Sequence, residues 1–431
     1  MTADPLTAPF AGRALHCIGI GGAGMSGLAL VAKQLGATVT GSDQADSSYS
    51  ERLRAAGIEP VIGHDAANLP EGAEVVVSTA IPEDNPELAA ARAAGARILH
   101  RGDLLGELSR MKKTIAVSGT HGKTTTASMI ALALLETGRD PAFLIGGELR
   151  AAGTNAAWGA GEWAVIEADE SDRSFLKLRR DVAVVTNIEL DHHATYGSLR
   201  ELEEVFAEFT DGADTVISGT GDLRAGKVEM GRGTSRFDVD GTEIELQVPG
   251  EHNVLNALAA LAALRAAGVE AAEAAPALAK FTGAGRRFEA HGRTAEGAEM
   301  FDDYAHHPTE VRATLEAART LGPRRLVAAF QPHLYSRTKM LAREFGESLA
   351  LADLVVVLDV YKARERPEDF PGVSGYLVAE AAADAAGGRP VWWMPQLDEA
   401  ERQLRGELQD GDVFVTLGAG NIDELAKRLA G

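Results

Sequence analysis

Val117-Ser-Gly-Thr-His-Gly-Lys-Thr-Thr-Thr126 places a lysine and four threonines at a glycine-bounded turn between an apolar run and an Ala/Leu-rich run. A turn of this kind between strand and helix is built for polyphosphate: backbone N–H groups cradle oxygens, a lysine holds the β/γ region and a hydroxyl ligates Mg²⁺. Gly119, Thr120, His121, Gly122, Lys123, Thr124 and Thr125 are therefore the candidate ATP loop. The spacing departs from the usual GxxxxGK[ST], because the position six before Lys123 is Val117 and the first glycine is Gly119. Such a loop requires a metal partner. IEADESD supplies Glu167, Asp169, Glu170 and Asp172, and TNIELDHH supplies Asn187, Glu189, Asp191, His192 and His193, each at the end of an apolar run. Mg²⁺ takes oxygen ligands and keeps waters, so one or two of these carboxylates suffice.

A second loop lies earlier. CIGIGGAGMSG sets Gly19, Gly21 and Gly24 in a GxGxxG pattern, with Gly22 between them and Asp43 at the end of the next strand-like run. That pattern fits a nucleotide diphosphate at a helix N-terminus, and it does not separate a nicotinamide dinucleotide from a UDP-sugar. A third cluster, FDDYAHHPTEV, gathers Asp302, Asp303, Tyr304, His306 and His307, and QPHLYSRT adds His333 and Arg337. Charged and aromatic groups concentrated at strand ends suit a small zwitterion. DVYKARE, Asp359 to Glu365, is a further stretch of the same kind.

Short β-rich runs alternating with helical stretches must position these groups. ALHCIGI, ATVTGSD, EVVVST and ARILH alternate with helices, then TIAVSG opens a second block, and EMFDDYAHH, RRLVAAFQP, DLVVVLDVY, RPVWWM and DVFVTLGAGN form a third. This rhythm predicts α/β architecture with parallel sheets in three domains, near 1–112, 113–284 and 285–431. The first and third are expected to be Rossmann-like and the second a P-loop ATPase type.

The 431 residues exceed one ordinary core, and 45% hydrophobic with 24% charged residues is a globular composition. A net charge of -21 argues against a nucleic-acid partner, whose phosphates demand an excess of Lys and Arg. The single cysteine, Cys17, fits a reducing compartment, and the Ala-rich stretches carry too much charge for a bilayer span. With no cationic, apolar leader at the start, a cytoplasmic protein is expected.

Together GIGGAGMSG, STAIPEDNPE, SGTHGKTTT, EADESD, TNIELDHH, GEHNVLNALAA, GAGRRFE, DDYAHHPTE, QPHLYSRT and LDVYKARE resemble the Mur ligase family, in that family's order, from Gly19 to about Glu365. GTHGKT marks the superfamily, which includes folylpolyglutamate synthetases. DDYAHHPTE, QPHLYSRT and GIGGAGMSG resemble its alanine-adding branch. The resemblance implies ATP-dependent ligation of L-alanine to the lactyl carboxylate of UDP-N-acetylmuramate, through an acyl phosphate, in peptidoglycan precursor synthesis. It implies Mg²⁺ or Mn²⁺, small-molecule partners only and a monomer or homodimer.

By the same resemblance, Glu167 matches a metal-ligating glutamate beside Thr124 and His192 the histidine at a second, substrate-side cation, while His121 and Asn155, with Ser78, contact the sugar-nucleotide. Asn253 and Asn256 fall at the adenosine portion. Tyr304, His306 and Arg337 meet the alanine, with His306 the candidate for the amine proton. Arg286 and Arg287 sit near a hinge. Lys123, His192, His306 and Arg337 are thus the candidate catalytic set. Sister ligases use a carbamylated lysine, but no lysine occurs between Lys177 and Lys227. The stretch from Asp211 to Pro249 is short for the family. The rival readings are a murein-peptide ligase of the same family, a folylpolyglutamate-type enzyme, a nicotinamide oxidoreductase built on the first loop alone, and a nucleotide-binding regulator without turnover.

Overall fold

The computed structural model describes residues 8–192 and 195–430, so His193 lies outside the described residues. The chain forms two compact units, one of Met1–Glu189, Arg200–Asp222 and Ala259–Ala277, the other of Leu190–Leu199, Leu223–Leu258 and Leu278–Gly431.

The first unit holds two sheets. In its N-terminal sheet, β1 (Ala14–Ile18), β2 (Thr38–Asp43), β3 (Val61–Ile62), β4 (Glu74–Val77) and β5 (Ile98–His100) run parallel in the order β3-β2-β1-β4-β5. Helices α1 (Ala23–Gln34), α2 (Ser48–Ala55), α3 (Pro86–Ala93) and α4 (Arg101–Ser109) lie between and after them. Strand order reverses at β1, and the glycine loop follows that strand. A reversal of this kind opens a crevice at the strand's carboxyl end, where ligands of doubly wound sheets sit.

The second sheet takes β6 (Lys113–Ser118), β7 (Ala142–Leu149), β8 (Thr154–Trp158), β9 (Trp163–Glu167), β10 (Val182–Val185) and β11 (Thr215–Ser218), in the order β11-β10-β6-β9-β7-β8. Only β8 is antiparallel to its neighbour. Register places Val117 beside Glu167 and Ser118 beside Val185, so the turns leaving β6, β9 and β10 reach one sheet edge. Helix α5 (Lys123–Glu136) buries Thr124 through Leu134 on every face. This explains why its sequence shows almost no polar stripe. α6 (Leu199–Thr210) follows β10. The β7–β8 hairpin is an addition to the expected alternation. Its strands AFLIGGEL and TNAAW alternate too poorly to announce a hairpin.

In the second unit, β12 (Glu229–Met230), β13 (Ser235–Val239) and β14 (Thr242–Leu246) form a small antiparallel sheet. Two helices, α7 (Glu251–Ala266) and α8 (Ala271–Leu278), come next along the chain. The large sheet is β15 (Glu289–Arg293), β16 (Glu299–Asp303), β17 (Arg325–Phe330), β18 (Leu354–Val357), β19 (Val391–Trp393) and β20 (Asp412–Leu417), ordered β15-β16-β20-β17-β18-β19 and parallel except for β15. Helices α9 (Pro308–Arg319), α10 (Tyr335–Leu349), α11 (Tyr376–Ala385), α12 (Leu397–Glu407) and α13 (Asp423–Leu429) complete it. Both faces of the sheet are covered. Leu326, Ala328 and Phe330 of β17 enter one core with Leu315 and Phe345, while Val327 and Ala329 enter the other with Phe414 and Leu425. The two-residue period of a strand makes that division, and it explains the unbroken apolar runs. No helix among the described residues is long and apolar enough to cross a membrane.

Candidate active site

The turn after β6 is shaped by close approach. Gly119 has φ +129, and a Cβ there would lie 2.1 Å from Thr186 Oγ1, so only glycine fits. Lys123 Nζ donates to the Gly119 carbonyl at 2.7 Å and the Thr120 carbonyl at 3.2 Å, and pairs with Glu170 at 3.0 Å. Burial alone would lower this ammonium's pKa. The carboxylates of Glu170, Asp169 and Glu167 overcome that effect and hold it above the ordinary lysine value. Lys123 is a fixed, permanent cation.

The N–H groups of the loop are divided in use. Thr120 N donates to the Asn187 carbonyl at 3.1 Å and His121 N to Asn187 Oδ1 at 2.9 Å. The first-turn N–H groups at Lys123, Thr124 and Thr125 face the helix start, where no intrahelical acceptor exists. His121 Nε2 pairs with Glu189 Oε2 at 2.9 Å, and Thr120 Oγ1 donates to the Glu189 carbonyl. Glu167 accepts from Thr124 Oγ1 at 3.1 Å and from Gly146 N at 2.7 Å. A hydroxyl and a carboxylate in contact beside a half-buried ammonium are the donor types that Mg²⁺ with a polyphosphate requires. The residues present fit both groups.

The β1 loop is held from β2. Gly19 N and Ile20 N donate to the Ser42 carbonyl, Gly21 N donates to Asp43 Oδ2 at 2.8 Å, and Ser47 Oγ donates to the Gly21 carbonyl. Asp43 therefore acts here as a strut of the glycine loop. Gly22 N donates to the Gly19 carbonyl, and Gly22 is the N-cap of α1. Asn155, on β8, donates from Nδ2 to the Ala23 carbonyl at 2.8 Å, while its buried Oδ1 has no hydrogen-bond partner. The hairpin that the sequence did not announce thus carries a polar side chain to the start of α1. Ser78 Oγ accepts from Ala80 N at 3.3 Å in the turn after β4.

The second unit brings the remaining motif residues together. Two guanidinium groups approach the Tyr304 ring, with Arg286 5.1 Å and Arg287 5.3 Å from its centre. Arg286 is committed to structure: it donates to Asp302 at 2.9 Å and to the carbonyls of Gly418 and Gly420. Asp303 accepts from Phe288 N and Ala305 N, each at 2.8 Å. His307 caps α9, accepting from Thr309 N while Glu310 reaches back to the cap. His306 Nδ1 lies 2.9 Å from the Tyr304 carbonyl, which fixes Nδ1 as the protonated nitrogen and leaves the Nε2 lone pair outward. His306 meets the edges of Tyr304 and His333, and His333 stacks on Tyr361 with ring centres 5.7 Å apart.

Arg337 departs from the expectation of a waiting anion contact. Its guanidinium is buried and forks onto Asp191, with Nη2 at 3.0 and 3.1 Å from the two oxygens and Nε at 3.1 Å. Burial would raise the Asp191 pKa, yet Arg337 and the neighbouring His192 and His306 drive it far below the usual carboxylate range. His192 follows with φ +54, its Nε2 3.9 Å from Asp191. Arg286 and Leu334 also have positive φ, at 55° and 72°. Strain of this kind persists where surrounding contacts over-determine the backbone. Asn253 donates from Nδ2 to the Pro249 carbonyl, and Asn256 is buried one turn along α7.

Burial lowers three histidines of this unit: His252 and His306 to about 4, and His333 to about 3. All three are neutral in the fold at pH 7. Between pH 6.5 and 4 the unfolded chain binds their protons and the folded chain does not, so stability falls on acidification. Asp302 and Asp303 oppose this, since burial raises both, Asp303 to about 6. Three protons outweigh two. We expect the calorimetric melting temperature to drop from pH 6.5 to 4.5, and His252→Gln to flatten the dependence by about 1.4 kcal/mol per pH unit. A midpoint that rises on acidification contradicts these half-buried neutral imidazoles.

With this geometry in place, comparison with known proteins identifies the class. Residues 14–113 match the family model of the Mur ligase family, catalytic domain, residues 117–218 the Mur ligase middle domain, and residues 286–420 the Mur ligase, glutamate ligase domain. The chain belongs to the Mur ligase family. It is 45% identical to the UDP-N-acetylmuramate–L-alanine ligase of Acidithiobacillus ferrooxidans, covering 96% of each chain. Identity to the enzyme of the same name from Streptomyces coelicolor is 46%, with the same coverage. Among solved structures, the UDP-N-acetylmuramate–alanine ligase of Thermotoga maritima aligns with a TM-score of 0.84 at 30% identity, over 96% of this chain and 97% of that one. A murein peptide ligase from Psychrobacter arcticus aligns with a TM-score of 0.72 at 26% identity, over 97% and 98%.

Proposed function

We propose that this chain ligates L-alanine to the lactyl carboxylate of UDP-N-acetylmuramate at the expense of ATP, in the cytoplasm, as a step of peptidoglycan precursor synthesis. The observation that carries the reading is the cage around Lys123, one strand from Glu167, on a chain 45% identical to relatives of that name. The functional domains are taken as 1–112 for the UDP-sugar, 113–284 for ATP and 285–431 for the amino acid.

A carboxylate is a poor acyl donor, because its charge repels a nucleophile and oxide is a poor leaving group. A lactyl oxygen attacks the γ-phosphorus, and ADP departs with the bond pair. The neutral amine of alanine then attacks the acyl carbon, and inorganic phosphate leaves once the amine proton is lost. Lys123 holds the β/γ oxygens as a fixed charge that costs no reorganisation during transfer. Thr124 and Glu167 are the proposed holders of Mg²⁺, which when bound neutralises charge on the phosphates, and His192 is the proposed ligand of a second, substrate-side cation. Gly19, Gly21, Gly22, Gly24, Ser78, His121 and Asn155 receive the UDP-sugar, with Asp43 bracing their loop. Asn253 and Asn256 are assigned to the adenosine. Tyr304 and His306 receive the alanine, and His306 offers a neutral Nε2 for the amine proton. Arg337 serves this site through its grip on Asp191.

ADP formation with each acceptor omitted in turn tests the reading. Turnover should require UDP-N-acetylmuramate, ATP and L-alanine together, and ¹⁸O from the lactyl carboxylate should appear in the released phosphate. ADP release with a murein peptide and no dependence on alanine would replace it with the peptide ligase.

A further inference from the structure

Arg101 is the first residue of α4, where the positive end of the helix dipole disfavours a cation. Two carboxylates hold it there. Nη2 donates to Asp169 at 2.6 Å and to Asp172 at 2.9 Å, and Nε donates to Asp172 at 3.2 Å. Asp169 and Asp172 belong to the EADESD turn that also carries Glu167 and Glu170, so the turn that cages Lys123 aims Arg101 as well.

The remaining nitrogen, Nη1, points the other way. A Cβ on Gly24 would lie 3.3 Å from it, so it faces the glycine loop at the N-terminus of α1. Gly24 and Arg101 both line a cavity of about 210 Å³ that Gly146, Glu167, Asp169 and Phe175 also bound. Its lining includes Ala23 and Gly24, the first residues of α1, and Glu167, whose carboxylate contacts Thr124. A guanidinium whose Nε and Nη2 are clamped by acids loses little further freedom when Nη1 takes a third partner.

We propose that Arg101 is a substrate-binding residue whose Nη1 donates to the sugar-proximal phosphate of the UDP moiety, opposite the Gly19–Gly24 loop. Resting on the UDP-sugar reading above, the assignment makes Asp169 and Asp172 positioning residues. They couple occupancy of the diphosphate to the order of the turn that bears Glu167. The carboxylates and the phosphate occupy opposite edges of one planar fork, so their repulsion is bridged by the charge between them.

The test is titration of UDP and of UMP into the full-length wild-type chain and the R101Q and R101K variants. UMP lacks the contacted phosphate, so the ratio of the two affinities isolates it from any general defect in folding. R101Q should lower the UDP-to-UMP affinity ratio by at least about tenfold, the loss of one charge-assisted hydrogen bond. R101K, which keeps the charge without the fork, should fall between. A wild-type ratio in R101Q, with UDP bound, overturns the arginine assignment alone. A wild-type chain that binds no UDP overturns the underlying substrate reading.

Discussion

Lys123→Ala is expected to slow ATP-dependent phosphate release by about 10²- to 10³-fold while leaving the affinity for UDP unchanged. The size of the effect comes from how the ammonium is held. Two loop carbonyls and Glu170 fix it in one place, so its charge is directed before ATP arrives. Lys123→Arg should rescue little, because a planar fork cannot enter a cage built from the Gly119 and Thr120 carbonyls. Glu170, only 1% exposed, loses its ammonium partner in the alanine variant, so a lower melting temperature should accompany the kinetic loss. Single-turnover ADP release and UDP titration separate the two effects. Turnover at the wild-type rate removes the proposed ATP loop.

Asp191→Ala should destabilise the second unit by about 3–5 kcal/mol, far more than the loss of an ordinary surface pair. The side chains of Arg337 and Asp191 are 4% and 5% exposed, and three hydrogen bonds join them. Removing the acid leaves a guanidinium buried without its counter-charge. The double variant Asp191→Ala/Arg337→Met should recover most of the loss, since it removes the stranded charge and keeps apolar volume. Chemical denaturation of the single and double variants gives the coupling directly. A loss below about 1 kcal/mol for Asp191→Ala is the behaviour of a solvated pair and contradicts the buried one.

Much of the architecture was legible because its cause is local. Apolar runs at β6, β10 and β20 are continuous because helices cover both sheet faces, and a linear pattern records that. The P-loop departed from standard spacing, yet glycine, lysine and threonine between strand and helix sufficed, since the cradle depends on backbone direction. The β7–β8 hairpin was hidden for the opposite reason. Its antiparallel pairing is a contact between segments, interrupted by a register shift between Leu144 and Leu149, and no periodicity survives that.

Tertiary contacts already engage several of the charged residues that the motifs single out. Asp43 completes the spacing of a nucleotide-binding loop, and the structure spends one of its oxygens on Gly21 N. Arg337 stood in a motif suited to an amino-acid carboxylate, and a distant aspartate already occupies it. Arg101 had no motif at all.

By itself the sequence determined the α/β rhythm, the two glycine loops and the inventory of lysine, acids and histidines from which a ligase site could be assembled. Only the tertiary structure decided which of those groups face each other and which are already engaged. Element type follows from neighbours a few positions apart, whereas a side chain's partner is set by packing between segments far apart in the chain, and the direction of a guanidinium leaves no trace in linear spacing.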